Sequence, residues 1–96
     1  MKIEALKRQI ESLKPALRKR FKVETIGIFG SYVRGDQKGK SDLDVLVEFS
    51  EAPSLFEFVE LEEFLSKNLG LKVDLVMKDA LKPRIKDNIL KEAVYV

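Results

Sequence analysis

The 96-residue sequence predicts an α/β (α+β) fold, a small mixed β-sheet flanked by helices in the order αβαβαβα. Three observations predict it. Runs of β-forming residues at 23–30, 42–49 and 71–77 are separated by stretches with helical periodicity. The first two runs have only residues 31–41 between them, which favours antiparallel neighbours. The second and third are separated by a full helix, which allows a parallel crossover.

Each element has its own signal. Over residues 2–20, Ile3, Leu6, Ile10, Leu13 and Leu17 recur at steps of three and four, an apolar stripe on a charged background. Pro15 lies inside that helix and is expected to kink or split it. The first strand is apolar enough to be buried on both faces. A short helical turn is expected over 31–34, followed by a glycine-containing loop over 35–40. The second strand is acidic at its start and apolar in the middle. Ser54 and Glu57 have the spacing of a capping box and open a helix to about Asn68, with Leu55, Phe58, Leu61 and Leu65 as its buried stripe. Gly70 is placed to stop it. After the third strand, Pro83 begins a last helix with Ile85, Ile89 and Ala93 inward. Tyr95 and Val96 are too few to assign.

Length and composition narrow the function. The chain has room for one domain, 1–96. Eighteen basic and 16 acidic residues give a formal charge of +2, so strong nucleic-acid binding is not expected. With no cysteine, disulfides and thiolate metal sites are excluded, and with no histidine the commonest general base is missing. Any metal must be held by oxygen, which points to Mg²⁺ or Mn²⁺. The amphipathic N-terminus is not a signal peptide, and no apolar run approaches the roughly 20 residues of a membrane span. A soluble, cytoplasmic protein is expected.

The candidate chemistry lies around the loop between the first two strands. Asp42 and Asp44 are two apart, so in a strand their carboxylates share one face. Like charges at that separation repel unless a cation intervenes. Asp74 interrupts an otherwise apolar strand, and an unpaired buried carboxylate is costly. If the third strand lies beside the second, Asp74 reaches the same place. Gly30-Ser31 ends the first strand, where glycine lets a phosphate approach the backbone and serine adds a hydroxyl donor. Arg34, Lys38 and Lys40 are nearby cations, Arg34 one helical turn from Ser31. Each feature alone has an ordinary reading: solvated strand-end carboxylates, an edge-strand aspartate, a common turn, loop lysines in water. Three carboxylates and an anion cradle on one sheet edge, without histidine, describe two-metal phosphoryl or nucleotidyl transfer.

Gly30-Ser31, ten intervening residues, Asp42-Leu43-Asp44 and a later Asp74 resemble the active-site signature of the DNA polymerase β-like nucleotidyltransferase superfamily. The longer string FGSYVRGDQKGKSDLDVLVEF is similar to its smallest branch, the minimal nucleotidyltransferases (MNT). The resemblance covers nearly the whole chain, including its ILKEAVYV ending. It implies that Asp42 and Asp44 bind two Mg²⁺ ions (or Mn²⁺). It implies that Asp74 binds the catalytic metal and orients or helps deprotonate the nucleophile. Gly30 and Ser31 would hold the β- and γ-phosphates of ATP or another NTP, and Arg34 matches a frequent basic position. Val33 stands where a small residue is usual, a difference expected to affect packing.

Many members of that branch pair with a helical RNase toxin of the HEPN type, and some transfer AMP from ATP to a toxin tyrosine. The resemblance therefore implies an AMP-transferring antitoxin. The alternatives are an antitoxin that acts by steric occupancy alone and a nucleic-acid-directed transferase or adaptor. Homo-oligomerisation is left open.

Overall fold

The computed structural model describes residues 2–39 and 42–96. Its elements run α1 (Ile3–Phe21), β1 (Val23–Phe29), α2 (Ser31–Arg34), β2 (Leu43–Phe49), α3 (Leu55–Leu69), β3 (Val73–Met77), a 3-10 turn (Lys78–Ala80), α4 (Pro83–Glu92) and β4 (Val94–Tyr95). The strands form one mixed sheet in the order β3-β2-β1-β4. β1 is antiparallel to both β2 and β4, and β2 is parallel to β3. The expected mixed sheet and helix order are both present, with β4 added at the end left unassigned by pattern.

One face of the sheet is the core. Leu43, Val45 and Val47 of β2 alternate onto it, joined by Ile26 and Ile28 of β1 and by Val73 and Leu75 of β3. Leu6, Ile10, Leu17 and Phe21 of α1 and Leu61, Leu65 and Leu69 of α3 cover it. The two helices are joined by Phe21 against Phe64, with ring centroids 5.1 Å apart, and at the surface by the Arg20–Glu60 ion pair.

α1 is one uninterrupted helix from Ile3 to Phe21, so Pro15 does not split it. A proline inside a helix costs about 3 kcal/mol. Burying four large side chains at roughly 1.5–3 kcal/mol each outweighs that. The stripe of α3 also differs from expectation. Phe58, Leu61, Leu65 and Leu69 face the core, whereas Leu55 is 78% exposed and Phe56 87% exposed. At 3.6 residues per turn, Leu55 lies roughly 75° from the centre of that stripe. The capping box itself is present: Ser54 Oγ accepts from Glu57 N–H, and Glu57 Oε1 accepts from Ser54 N–H.

The opposite face of the sheet is more open. The alternation places Asp44, Leu46 and Glu48 of β2 there, beside Asp74 and Val76 of β3 and Thr25, Gly27 and Phe29 of β1. Glu48 accepts hydrogen bonds from Thr25 Oγ1 (2.9 Å) and Lys78 Nζ (3.3 Å), tying β1 and β2 to the turn that follows β3. α4 buries no residue fully. Ile85 is 50% exposed and Ile89 and Ala93 are half-buried, so the expected inward packing of this helix is incomplete. Its face carrying Ile85, Asn88, Ile89 and Glu92 looks into a cavity of about 320 Å³ beside Phe29, Gly30, Arg34 and Asp44. Among the described residues no helix is long and apolar enough to cross a membrane.

The core assignment predicts a contrast within α3. Leu61→Ala should cost about 2–5 kcal/mol in urea unfolding, while Leu55→Ala should stay within about 0.5 kcal/mol of the parent.

Candidate active site

Two strand registers assemble the site. In the antiparallel pair, Phe29 of β1 lies opposite Asp44 of β2. In the parallel pair, Asp44 lies opposite Asp74 of β3. Asp44 is therefore flanked by the end of β1 on one side and by Asp74 on the other. Asp42 precedes β2 by one residue, and its carboxylate is 3.9 Å from Lys72 Nζ. The predicted gathering of Gly30, Asp42, Asp44 and Asp74 at one end of the sheet is what the structure shows. Lys40 and Ser41 lie outside the described residues, and Lys38 is exposed.

Gly30 fits where no other residue would. Its backbone, at φ 80° and ψ −151°, is in a region essentially reserved for glycine. A Cβ built there would meet Asp44 Oδ2 at 2.1 Å. The missing side chain thus makes room for the central carboxylate against the backbone. Gly30 C=O then accepts from Val33 N–H (3.0 Å) and Arg34 N–H (3.1 Å), turning the chain at once into α2. Tyr32 is buried against the core and Val33 packs beside it, so the larger residue at 33 is accommodated by packing.

Arg34 is held by two carboxylates. Its Nη1 donates to both Glu92 oxygens, at 3.0 and 3.2 Å, and its Nε donates to Asp36 Oδ2 at 3.3 Å. These partners, Glu92 first, raise its pKa further above the ordinary arginine value. Gly30 N–H also donates to Glu92 Oε1. Glu92 is a site residue that pattern analysis passed over. The signal was present: it lies three residues after Ile89, a charge on the apolar face of α4.

The Asp44 carboxyl is pushed above its ordinary pKa, first by burial, then by the charges of Asp74 and Asp42, against the opposing pull of Arg34. Among the described residues, no three acidic side chains are drawn together to metal-holding distance. Mutual repulsion is the physical reason to expect them apart. The donor set suits a hard divalent cation: the carboxylates offer oxygen, and a cation between Asp44 and its neighbours would remove the repulsion. Asp42, Asp44 and Asp74 are the residues that could hold it.

The sign of the Asp44 shift gives a testable consequence. Its folded pKa is raised, so between the unfolded and folded values the native state binds more protons, and stability falls as pH rises. The penalty is largest above the folded pKa, where the carboxylate is ionised in both states. Asp44→Asn should therefore raise Tm at neutral pH in the absence of divalent ions. That gain should shrink as pH falls through the carboxylate range, measured by calorimetry from pH 7 downwards.

Residues 10–96 match the family model described as a nucleotidyltransferase domain. The chain is 56% identical over 92 residues to protein adenylyltransferase MntA of Thermococcus cleftensis, covering 92% of this chain and 93% of that protein. Among solved structures, a candidate minimal nucleotidyltransferase superposes with a TM-score of 0.81 at 35% identity, covering 98% of this chain and 95% of that one. A toxin-antitoxin complex with AMP-PNP superposes with a TM-score of 0.75 at 27% identity, covering 92% of this chain and 69% of that one. With the Gly-Ser turn, the Asp-x-Asp strand and the third aspartate in register at one sheet end, the chain belongs to the nucleotidyltransferase family, on its minimal branch, and is a nucleotidyltransferase.

Proposed function

We propose that this protein transfers AMP from ATP to a tyrosine hydroxyl of a partner HEPN-type RNase toxin, and so acts as an antitoxin in the cytoplasm. The alignment of Asp44 with Asp74 beside Gly30 is the observation that carries the reading. It brings two strand carboxylates and the end of β1, where a glycine leaves the backbone without a side chain, to one end of the sheet. Similarity to an adenylyltransferase supports AMP as the transferred group. The toxin-antitoxin complex containing AMP-PNP supports both an ATP-like donor and a protein partner.

The roles are those the family resemblance implies, and the strand registers are compatible with them. Gly30 and Ser31 bind the β- and γ-phosphates, with Arg34 as the nearby cation. Asp42, Asp44 and Asp74 would hold Mg²⁺, with Mn²⁺ as a substitute, and a divalent ion there would supply neutralisation of phosphate charge and a lowered pKa for the attacking hydroxyl. Asp74, exposed on β3, orients that hydroxyl and takes its proton. The acceptor oxygen forms a bond to the α-phosphorus as the bond to the bridging α,β-oxygen breaks, and pyrophosphate leaves. The cavity bounded by α4, Phe29 and Gly30 is the space beside the reacting phosphates into which donor or acceptor can enter. With a net charge of only +2, the acceptor is a protein surface in preference to a nucleic acid.

The test uses the purified chain, its partner protein, Mg²⁺ and labelled ATP. The parent should label the partner, and Asp42→Asn with Asp44→Asn should lower the transfer rate by more than about a hundredfold, the scale for losing outer-shell support alone. If the double variant still protects against the toxin while transferring nothing, occupancy and not chemistry gives the biological effect.

A further inference from the structure

We propose that Glu92 is a built-in placeholder for phosphate: its carboxylate occupies the donors that a triphosphate takes, and so sets the affinity and selectivity of the cradle. The inference rests on the reading of Gly30 and Arg34 as triphosphate donors. One carboxylate spans both. Oε1 accepts from the Gly30 N–H and from Arg34 Nη1, and Oε2 accepts from the same Nη1. A carboxylate and a phosphate present the same thing to such donors, a pair of anionic oxygens. Two anions cannot share one N–H, and placing them side by side adds repulsion.

Residue 92 is held at this place by the end of the chain. Directly after α4, Val94 pairs with Ile28 and Tyr95 with Gly27, and Val96 N–H donates to Ile26 C=O at 3.0 Å. The backbone of Glu92 is thereby fixed beside the last turn of β1. Its side chain is 26% exposed and opens onto the cavity bounded by Ile85, Asn88 and Ile89, so it has somewhere to swing when an anion arrives. A triphosphate, with its greater charge, can displace it. AMP has no β- or γ-phosphate to compete with it. After transfer, the carboxylate's return to Gly30 and Arg34 favours release of pyrophosphate.

The opposite role would be a strut, in which Glu92 fixes Gly30 and Arg34 and stays put when nucleotide binds. The two roles predict opposite signs. Titration calorimetry of the full chain with a non-hydrolysable ATP analogue and with AMP, in Mg²⁺, separates them. Glu92→Ala should bind the analogue roughly tenfold more tightly than the parent, the worth of one charge-assisted hydrogen bond. Glu92→Gln keeps the size and an acceptor oxygen but loses the charge; it should shift the same way by less, and it decides the question if the alanine variant does not fold. AMP affinity should be unchanged in both. Equal or weaker binding of the analogue by the variants, with normal binding by the parent, overturns the placeholder. Failure of the parent and both variants to bind the analogue overturns the phosphate cradle itself, and the placeholder with it.

Discussion

The Asp44 carboxylate lies where a side chain on residue 30 would be, and much of the site depends on that contact. It follows from the β1/β2 register, which sets Phe29 against Asp44 and makes the next residue the point of closest approach. Any Cβ there would collide with Oδ2, and the backbone conformation of Gly30 is open to glycine almost alone. The same turn swings the chain into α2 and brings Arg34 back over the end of the strand. On the other side of Asp44, the parallel register with β3 supplies Asp74. Two hydrogen-bonded registers and one absent side chain thus bring together residues distributed from 30 to 74.

That assembly carries an electrostatic cost. Burial and two neighbouring carboxylates raise the pKa of Asp44, and Arg34 offsets only part of this while also serving Glu92 and Asp36. The rest of the fold supplies what is needed to hold such a site: α1 and α3 close a continuous apolar layer over the far face of the sheet. Charge repulsion at one sheet end is supported by hydrophobic burial at the other face, a division of labour common where function opposes stability. A divalent cation and a polyphosphate would bring charges of both signs to this end, each relieving a different imbalance.

Most of the scaffold was legible because its signals are local. Helical periodicity in α1 and α3, the Ser54–Glu57 capping box and the β-forming runs each depend on residues within a few positions. Gly30-Ser31 and the Asp42–Asp44 pair were legible for the same reason. Asp74 required one inference about topology, that a helical crossover lays β3 parallel to β2, and the register bears it out. What escaped depends on long-range contacts. β4 is two residues long and is a strand because Gly27 and Ile28 offer it partners. Glu92 reaches Gly30 across 62 positions, through a helix whose apolar face lines a cavity instead of a filled core. The exposure of Leu55 and the continuity of α1 through Pro15 depend on how the buried stripes meet the sheet, which single-element patterns do not reveal.

As a nucleotidyltransferase, this sheet end directs attack at the α-phosphorus of a nucleoside triphosphate. The most direct measurement is intact-mass analysis of the partner protein after incubation with this chain, ATP and Mg²⁺, alongside assay of the released product. One or more AMP units should be added to the partner, with one pyrophosphate released for each. Addition of a phosphate with release of ADP, or an unchanged partner mass while ATP is bound, would contradict it.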